Sequence, residues 1–504
     1  MLDRIKSTAK NSIIYGLGNL SSKLIGLILL PLYTSVLPVG EFGKLAMLET
    51  TAQILIALFG FSLHSAYFRW YWDEEYIEKR KSLFFTNMVF FASMSILMIL
   101  GLTGASSSLS ALLLDNHNDA RLIRLMVITS GFEIMGILPL TLMRLQERPV
   151  LFITANVTKF TTNLIFTIWF IVGLHHRIEG IYEAQIIGNI IFFIFLAKYI
   201  WKHMEFRFEI KALKDMLSFS FPLMLASIAG FFITMTDRYS LKFINGLEQL
   251  GSYQFGFKIS NSIKIIVVNS LNYAVQPLIY RLMNEPNNKR FYSKVLTYSG
   301  FAIMYLVLVI SVFGKEIVML LAQKKEYWDA YLVIPFLSFG LFFGSLRDTL
   351  FTGLNFAKKT RVSAIITISS AAANVILNIV FIYYLHSIGA AIATLLAQFL
   401  YFALIWKYSQ KYYFIPYEKN KIFKIFLTGA VLTILAMAAG YLPLLLSIGI
   451  KLILVIIFPL VLYFWNFYEE IELIRLKEFW GKWRNPAKWK YYLRKNSPEE
   501  TDDN

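Results

Sequence analysis

Ionisable side chains lie deep within long apolar stretches of this sequence, where a charge is costly. The basic members are Lys23, Lys159, Arg238, Lys258 and Arg347, and the acidic members are Glu49, Glu133 and Asp237. A charged side chain at the centre of a bilayer costs about 3 kcal/mol on insertion scales, so such residues usually face a partner or a water-filled cavity. Because the basic side chains outnumber the acidic ones, the sequence predicts a cavity that attracts an anion.

Asparagines accompany these charges at the spacing of one helix face. Lys258, Asn261, Asn269 and Asn272 recur at intervals that form a single polar stripe on an otherwise apolar helix. An amide side chain can bond to sugar hydroxyls, whereas lysine and arginine bind phosphate. The predicted substrate-binding residues are therefore Lys23, Asn156, Lys159, Arg238, Lys258, Asn261, Asn269, Asn272 and Arg347.

The three carboxylates Glu49, Glu133 and Asp237 are candidates for coupling to H⁺ or Na⁺. Loss of hydration favours the protonated carboxyl group and a nearby cation favours the ionised one, so such a group can be poised to exchange an ion. For several of these residues, a purely structural role is an alternative to a functional one. Asp237 could pair with the adjacent Arg238, the asparagines could join helices by hydrogen bonds, and Arg347 could reach the interface from a helix end.

Fourteen apolar runs carry these residues, each long enough to cross the roughly 30 Å of bilayer hydrocarbon as a helix. In a chain of 504 residues, 57% hydrophobic residues and a mean hydropathy of +0.56 exclude a soluble globular domain. The sequence predicts an all-α polytopic membrane protein with spans at 11–36, 43–68, 83–104, 122–143, 150–173, 181–200, 217–243, 252–280, 295–314, 331–352, 362–384, 388–406, 425–442 and 448–467.

The distribution of lysine and arginine sets the predicted orientation. These residues collect in alternate loops, which places both termini in the cytoplasm, and the even number of spans agrees. The net charge of +17 is explained in the same way, so no nucleic-acid partner is expected. The tail from residue 469 mixes tryptophan with basic residues, as expected of an amphipathic segment on an anionic membrane surface.

An internal repeat relates the two halves of the chain. Gly43 and Gly251 stand in similar short sequences 208 residues apart, and other landmarks repeat at nearly the same offset. Each half also contains an apolar cluster in an outer loop, at Ser107–Asn118 and Lys315–Trp328, which predicts a short interfacial helix. The predicted organisation is a six-helix lobe at 1–210, a second at 211–410, two additional spans at 411–468, and a basic cytoplasmic tail at 469–504.

Signals of catalysis are lacking in the sequence. It contains no P-loop, no catalytic triad motif, no HExxH and no cysteine, and its six histidines show no metal-ligand spacing. We therefore expect a transporter without a resident cofactor or metal, and not an enzyme.

Short motifs in both halves resemble those of polysaccharide (O-antigen-type) flippases. These proteins, also described as lipopolysaccharide biosynthesis proteins, belong to the multidrug/oligosaccharidyl-lipid/polysaccharide (MOP) exporter superfamily. The resemblance covers roughly residues 5–408 and is specific through the order and spacing of its motifs. The motifs are Ser22–Leu24, Leu30–Thr34, Gly40–Gly43, Ser65–Tyr71, Thr236–Tyr239, Leu250–Tyr253 and Gly256–Ile259.

The resemblance implies a V-shaped, MATE-like pair of six-helix lobes that works by alternating access in the bacterial inner membrane. The implied substrate is an undecaprenyl-diphosphate-linked oligosaccharide, and the two extra helices would help to hold its lipid tail. Polysaccharide polymerases or glycosyltransferases are possible partners. Asp237, Arg238 and Lys258 fall on recurring family positions, and Lys23 lies within the first of the quoted motifs.

Two related functions remain as alternatives. A multidrug or cation antiporter of the same superfamily would be expected to have an acidic cavity and typically twelve spans, which the excess of buried lysine and arginine opposes. A peptidoglycan-precursor flippase shares the frame of fourteen spans and is harder to separate by sequence.

Overall fold

Regular structure in this protein is helical throughout the part of the chain that the computed structural model describes. That part comprises residues 27–474 without 272–274, 276, 277, 280, 281, 283, 284 and 287. The chain divides into two compact units at residue 417, and each is described by itself. The predicted all-α class is confirmed.

The first half of the first unit, the N lobe, contains eight α-helices among its described residues. Proline stands at the start of two of them, where its missing N–H and fixed φ are tolerated. They are α1 (Leu30–Val36), α2 (Val39–Phe59), α3 (Leu63–Trp70), α4 (Arg80–Gly104), α5 (Ser106–Leu114), α6 (Ala120–Leu145), α7 (Pro149–Ile168) and α8 (Ile178–Lys202).

The second half of this unit, the C lobe, contains six α-helices in the ranges that the structure describes. The longest of them changes direction at His386, whose φ of 51° and ψ of −129° interrupt the helix between two predicted spans. They are α9 (Ile210–Asn245), α10 (Leu247–Ile263), α11 (Asn288–Val312), α12 (Gly314–Leu321), α13 (Ile334–Phe356) and α14 (Thr360–Tyr412).

The second unit contributes the helices α15 (Lys419–Ala439) and α16 (Leu444–Phe464), joined by a short turn. Most of the predicted basic tail, from residue 475 onwards, lies outside the described residues.

Nine helices in the described ranges are long and apolar enough to cross a membrane. A tenth is obtained if Lys325–Leu332 and Ile334–Phe356, which meet at 45°, count as one bent span. The chain is therefore a multi-pass membrane protein. Short helices also occur at the two predicted outer segments, Ser106–Leu114 and Gly314–Leu321.

Two predicted spans at equivalent places in the repeat are less regular than their apolar sequences indicated. The span predicted at 43–68 is interrupted between α2 and α3, where Phe61 and Ser62 both adopt left-handed backbone angles. In the other repeat, α10 passes into a π-helix at Lys264–Val268. Subtracting the repeat offset of 208 places this π-helix at 56–60, immediately before the interruption in the N lobe.

The two lobes meet most closely where α2 crosses α10. A Cβ atom on Gly43 would lie 1.9 Å from the carbonyl oxygen of Leu247, and one on Gly251 would lie 2.0 Å from that of Val39. A shift of 208 residues converts Gly43 into Gly251 and Val39 into Leu247, so the two contacts are equivalent under the repeat. Only glycine permits this approach of one backbone to the other.

A second pair of equivalent contacts closes the lobes on the side predicted to be outer; we call it the outer latch. The Thr34 hydroxyl at the end of α1 donates to the carbonyl oxygen of Leu321 in the C lobe, at 2.9 Å. Correspondingly, Lys242 near the end of α9 donates to the carbonyl oxygen of Leu112 in the N lobe, and it pairs with Asp115. Each lobe thus holds the end of the first described helix of its partner.

The helix crossing yields a prediction about stability. Replacing Gly43 with alanine forces a methyl group against backbone atoms, so we expect a loss of about 1–3 kcal/mol in the free energy of unfolding. Thermal unfolding of the purified protein would measure the loss as a lower transition temperature.

The matched control is Gly101→Ala in α4, where an added Cβ meets no atom within 4 Å. That substitution should be neutral or stabilising because alanine is the better helix former. Equal transition temperatures for the two variants would contradict the close crossing.

Candidate functional site

The candidate residues that the structure describes lie in three places within the first unit. One group joins the two lobes, a second lines a cavity in the C lobe, and a third lies in the N lobe. Lys23 and Asn272 lie outside the described residues. Asn269 is half-buried just beyond the π-helix of α10.

A salt bridge between Glu49 on α2 and Lys258 on α10 connects the lobes, with Nζ 3.0 Å from Oε1. Each residue follows the start of its helix by ten or eleven positions, or about 15 Å at the α-helical rise. That distance is half of the roughly 30 Å hydrocarbon thickness, so the pair lies near the middle of the span. Both side chains keep some exposure, 33% for Glu49 and 16% for Lys258.

Aromatic and hydroxyl groups surround this pair. The Lys258 ammonium lies 5.2 Å from the ring centre of Phe42, and Thr51 shares a hydrogen bond of 2.9 Å with Tyr239 across the lobes. The buried phenols of Tyr33 and Tyr182 lie within electrostatic range of Glu49. Glu49 therefore has neutral hydroxyl groups as well as a cation in its neighbourhood.

Asp237 and Arg238 on α9 form the centre of a buried network. Arg238 donates from one terminal nitrogen to Asp237 at 2.8 Å and to the Thr234 carbonyl oxygen at 2.6 Å, and from Nε to Gln254 at 3.2 Å. The Tyr253 hydroxyl donates to the other carboxylate oxygen of Asp237. Asp237 and Arg238 are 4% and 5% exposed, so each charge depends on the other for compensation.

A cavity of about 860 Å³, part of it open to solvent, lies beside this network in the C lobe. Asp237, Asn261 and Arg347 contribute to its wall, together with Lys264 and Gln398. Arg347 donates to Asp348 at 2.7 Å and to Gln398 at 2.8 Å, and its guanidinium lies 4.3 Å from the ring centre of Tyr401. Amide, hydroxyl, charged and aromatic groups therefore share one wall, a combination that suits a polar organic ligand.

The N-lobe group is built on the pair Glu133–Lys159, which joins α6 to α7 at 2.6 Å. Asn156 donates to the carbonyl oxygen of Phe152 within its own helix. Asn163 lies one turn beyond Lys159 and fills the space opposite Gly188, where a Cβ would fall 1.7 Å from its Oδ1 atom. This oxygen is buried without a hydrogen-bond partner among the described residues.

Every described cation of the predicted substrate-binding set has a carboxylate partner. Lys159 pairs with Glu133, Arg238 with Asp237, Lys258 with Glu49, and Arg347 with Asp348. The three carboxylates predicted for ion coupling are thus the partners of three predicted phosphate-binding cations. Such pairs can exchange: an anionic ligand that takes the cation leaves the carboxylate to bind a proton or a metal cation.

Two features of the structure were not singled out from the sequence. Tyr253 donates a hydrogen bond to Asp237. No sequence spacing indicated this contact, because the two residues lie on different helices. Lys451 on α16 is only 2% exposed, and it is not among the ionisable residues selected from the sequence. A lysine inside the apolar run 448–467 was itself the available signal. In the described part of the chain, no cluster of His, Asp or Glu could hold a metal ion.

Comparisons with known proteins agree on the fold. The chain is similar to the solved structure of the lipid II flippase MurJ in an inward closed conformation, with a TM-score of 0.68 and 17% identity over 92% of this chain and 99% of that one. It is also similar to an inward-facing multidrug resistance MATE transporter of the MOP superfamily, with a TM-score of 0.63 and 15% identity over 79% and 94% of the two chains.

Sequence comparison identifies the family. An uncharacterized membrane protein of Haemophilus influenzae is 23% identical over 294 residues, which are 56% of this chain and 68% of that protein. The MatE family model matches residues 222–380, and the model described as polysaccharide biosynthesis protein matches residues 8–283. Since the latter match spans more than half of the 504 residues, the chain belongs to the polysaccharide biosynthesis protein family and has the fold of MOP superfamily transporters.

Proposed function

We propose that this protein is a flippase for an undecaprenyl-diphosphate-linked oligosaccharide, acting in the bacterial inner membrane with both termini in the cytoplasm. The product would serve assembly of an O-antigen, a capsule or an exopolysaccharide. The observation that carries the proposal is the Glu49–Lys258 pair, which joins the lobes near mid-span in a member of the polysaccharide biosynthesis family.

Exchange of partners at this pair supplies the proposed mechanism. A diphosphate offers Lys258 several charged oxygens, whereas Glu49 offers a single contact at 3.0 Å. When Lys258 turns to the diphosphate, Glu49 loses its compensating cation and can bind H⁺ or Na⁺ in its place. Substrate capture, ion uptake and release of one contact between the lobes are then a single event.

The remaining candidate groups have supporting roles in the proposal. Asn261 and Gln398 in the C-lobe cavity can exchange hydrogen bonds with sugar hydroxyls. The outer latch keeps the lobes together on the predicted outer side, so the substrate would load from the inner side. A polysaccharide polymerase or a glycosyltransferase is the partner expected to supply or consume the substrate.

A cation exporter is the second candidate, because the MatE family model matches residues 222–380. Its cargo would need carboxylates that are available to a cation. Here Glu49, Glu133 and Asp237 each already bind a cationic side chain. A peptidoglycan-precursor flippase would use the same diphosphate chemistry, and the group carried on the diphosphate would differ.

The first test is leaflet translocation in proteoliposomes that contain a lipid-diphosphate oligosaccharide. We expect Lys258→Gln to lower the initial rate by about 10-fold or more, because a charge-assisted hydrogen bond to phosphate contributes about 1.5–3 kcal/mol. Fluorescence quenching of a labelled glycan that reaches the outer leaflet would report the rate.

The matched control is Arg121→Gln, which removes a cation from an exposed ion pair with Glu183 and should leave the rate unchanged. Equal losses of translocation rate in the two variants would show that Lys258 has no special role. Efflux of small organic cations without translocation of any diphosphate lipid would establish the exporter instead.

The buried Asp237–Arg238 pair gives a prediction that separates folding from transport. Arg238→Ala leaves the Asp237 carboxylate buried without its partner, so we expect a loss of about 3–5 kcal/mol in stability. The double variant Asp237→Asn with Arg238→Gln removes both charges and should lose clearly less. Thermal unfolding measures both, and a wild-type transition temperature for Arg238→Ala would refute the structural role of the pair.

A further inference from the structure

Four basic side chains converge at the predicted inner end of the N lobe, and we call them the connector cluster. They are Lys81 at the start of α4, Arg148 just before α7, and Lys202 and His203 at the end of α8. His203 also begins the connector, residues 203–209, which leads from the N lobe to α9 of the C lobe. Arg148, Lys202 and Lys81 all lie within electrostatic range of His203, and the contact between Phe206 of the connector and Phe85 places the connector beside α4.

The electrostatic surroundings of His203 show that the cluster is a local concentration of positive charge. Burial lowers the pKa of His203, and Arg148, Lys202 and Lys81 act in the same direction, against a hydrogen bond to the Tyr199 carbonyl oxygen that raises it. No described carboxylate lies within 4.0 Å of the charged atoms of Lys81, Arg148 or Lys202.

The aromatic ring of Tyr199 packs against two members of the cluster. The Arg148 guanidinium lies 5.9 Å from the ring centre of Tyr199, and the Tyr199 and His203 rings are 4.4 Å apart. A cation held over a ring keeps its N–H groups available for an anion. The carboxylates nearest in sequence, Glu147 and Glu205, are exposed to solvent.

Large apolar side chains are exposed next to the same charges. Trp201 and Phe206 are 70% and 71% exposed, their rings lie 5.6 Å apart, and Phe206 also packs on Phe85 of α4. Exposed aromatic rings beside lysine and arginine are typical of the boundary between lipid headgroups and acyl chains. This second observation favours a lipid over a soluble anion as the ligand.

The connector is also fastened to the N lobe close to the cluster. The Glu209 backbone N–H donates to Thr86 at 2.9 Å, and the Ser82 hydroxyl donates to the Glu209 carboxylate at 3.4 Å. Ser82 directly follows Lys81, so a ligand at the cluster would contact the segment that fixes the end of the connector.

We propose that the connector cluster binds the phosphate group of an anionic phospholipid headgroup in the inner leaflet. The phosphate lies among Lys81, Arg148 and Lys202, and the acyl chains run past Trp201 and Phe206. The bound lipid thereby links the composition of the leaflet to the segment that joins the two lobes. This site is separate from the Glu49–Lys258 pair and does not depend on which substrate is transported.

The test measures lipid binding directly with the full-length protein. Native mass spectrometry in detergent would quantify retention of phosphatidylglycerol, with phosphatidylcholine as the zwitterionic comparison and inorganic phosphate as a soluble competitor. Each basic residue near an anionic headgroup contributes about fivefold in affinity, so the triple variant Lys81→Gln, Arg148→Gln, Lys202→Gln should bind on the order of 100-fold more weakly.

The matched control is the triple variant Lys358→Gln, Arg361→Gln, Lys407→Gln, which removes the same charge from exposed C-lobe positions on the same predicted side. Its affinity should stay within a few-fold of wild type. If the cluster triple fails to fold, Lys81→Gln and Lys202→Gln alone carry the test, each with a loss of about fivefold.

Three results would overturn the proposal. Equal weakening in both triple variants would mean a diffuse charge effect, and equal retention of phosphatidylcholine would mean binding through the aromatic rings alone. Displacement of phosphatidylglycerol by micromolar inorganic phosphate would identify a soluble phosphate as the ligand.

Discussion

The close crossing of α2 and α10 is the contact on which the arrangement of the two lobes depends. Gly43 and Gly251 let each helix backbone reach a carbonyl group of the other, and no side chain separates them. Because the two contacts are related by the repeat offset, the crossing marks the axis that relates the lobes. The outer latch repeats the same relation further out, with Thr34 and Lys242 in corresponding positions. These contacts bring Glu49 and Lys258 within 3.0 Å of each other.

A second constraint acts on the charges that the crossing brings together. Removing a charge from water is costly, so the interior holds carboxylates and cations as neighbours. The pairs differ in what they join: Glu133–Lys159 links two helices of one lobe, Asp237–Arg238 belongs to one helix, and Glu49–Lys258 spans both lobes. Only the last must separate if the lobes move apart near mid-span. A structural role and a functional role of these residues are therefore compatible. An ion pair that stabilises one conformation of the two lobes also raises the free energy needed to leave that conformation.

Much of the helical frame follows from the sequence, because long apolar runs bounded by basic loops define spans in a simple way. The short outer helices at 106–114 and 314–321 were also indicated by their apolar clusters. The interruption at Phe61 and Ser62 was not, since the surrounding residues are as apolar as those of an intact span. Pairing was equally hidden. Glu49 and Lys258 were each recognised as buried ions, but nothing local in either segment indicates a partner 209 residues away. The depth of a residue in the membrane can be predicted from its own segment. Its contact partner depends on how two segments pack, which neither sequence indicates alone.

The irregular segments at the ends of α2 and α10 lie at equivalent positions of the repeat, which suggests a common mechanical role. Both helices are regular from the crossing inward past Glu49 and Lys258, and both lose α-helical geometry near residue 60 or its equivalent in the repeat. A left-handed pair of residues or a π-turn is a place where a helix can change direction at small additional cost. The glycine crossing resists closer approach of the two helices, because the backbones already lie next to each other there. A change of angle between the inner halves of the lobes is therefore accommodated below the crossing, on the inner side of the Glu49–Lys258 pair. The salt bridge thus lies on the rigid side of the bend, so that bending alone does not break it.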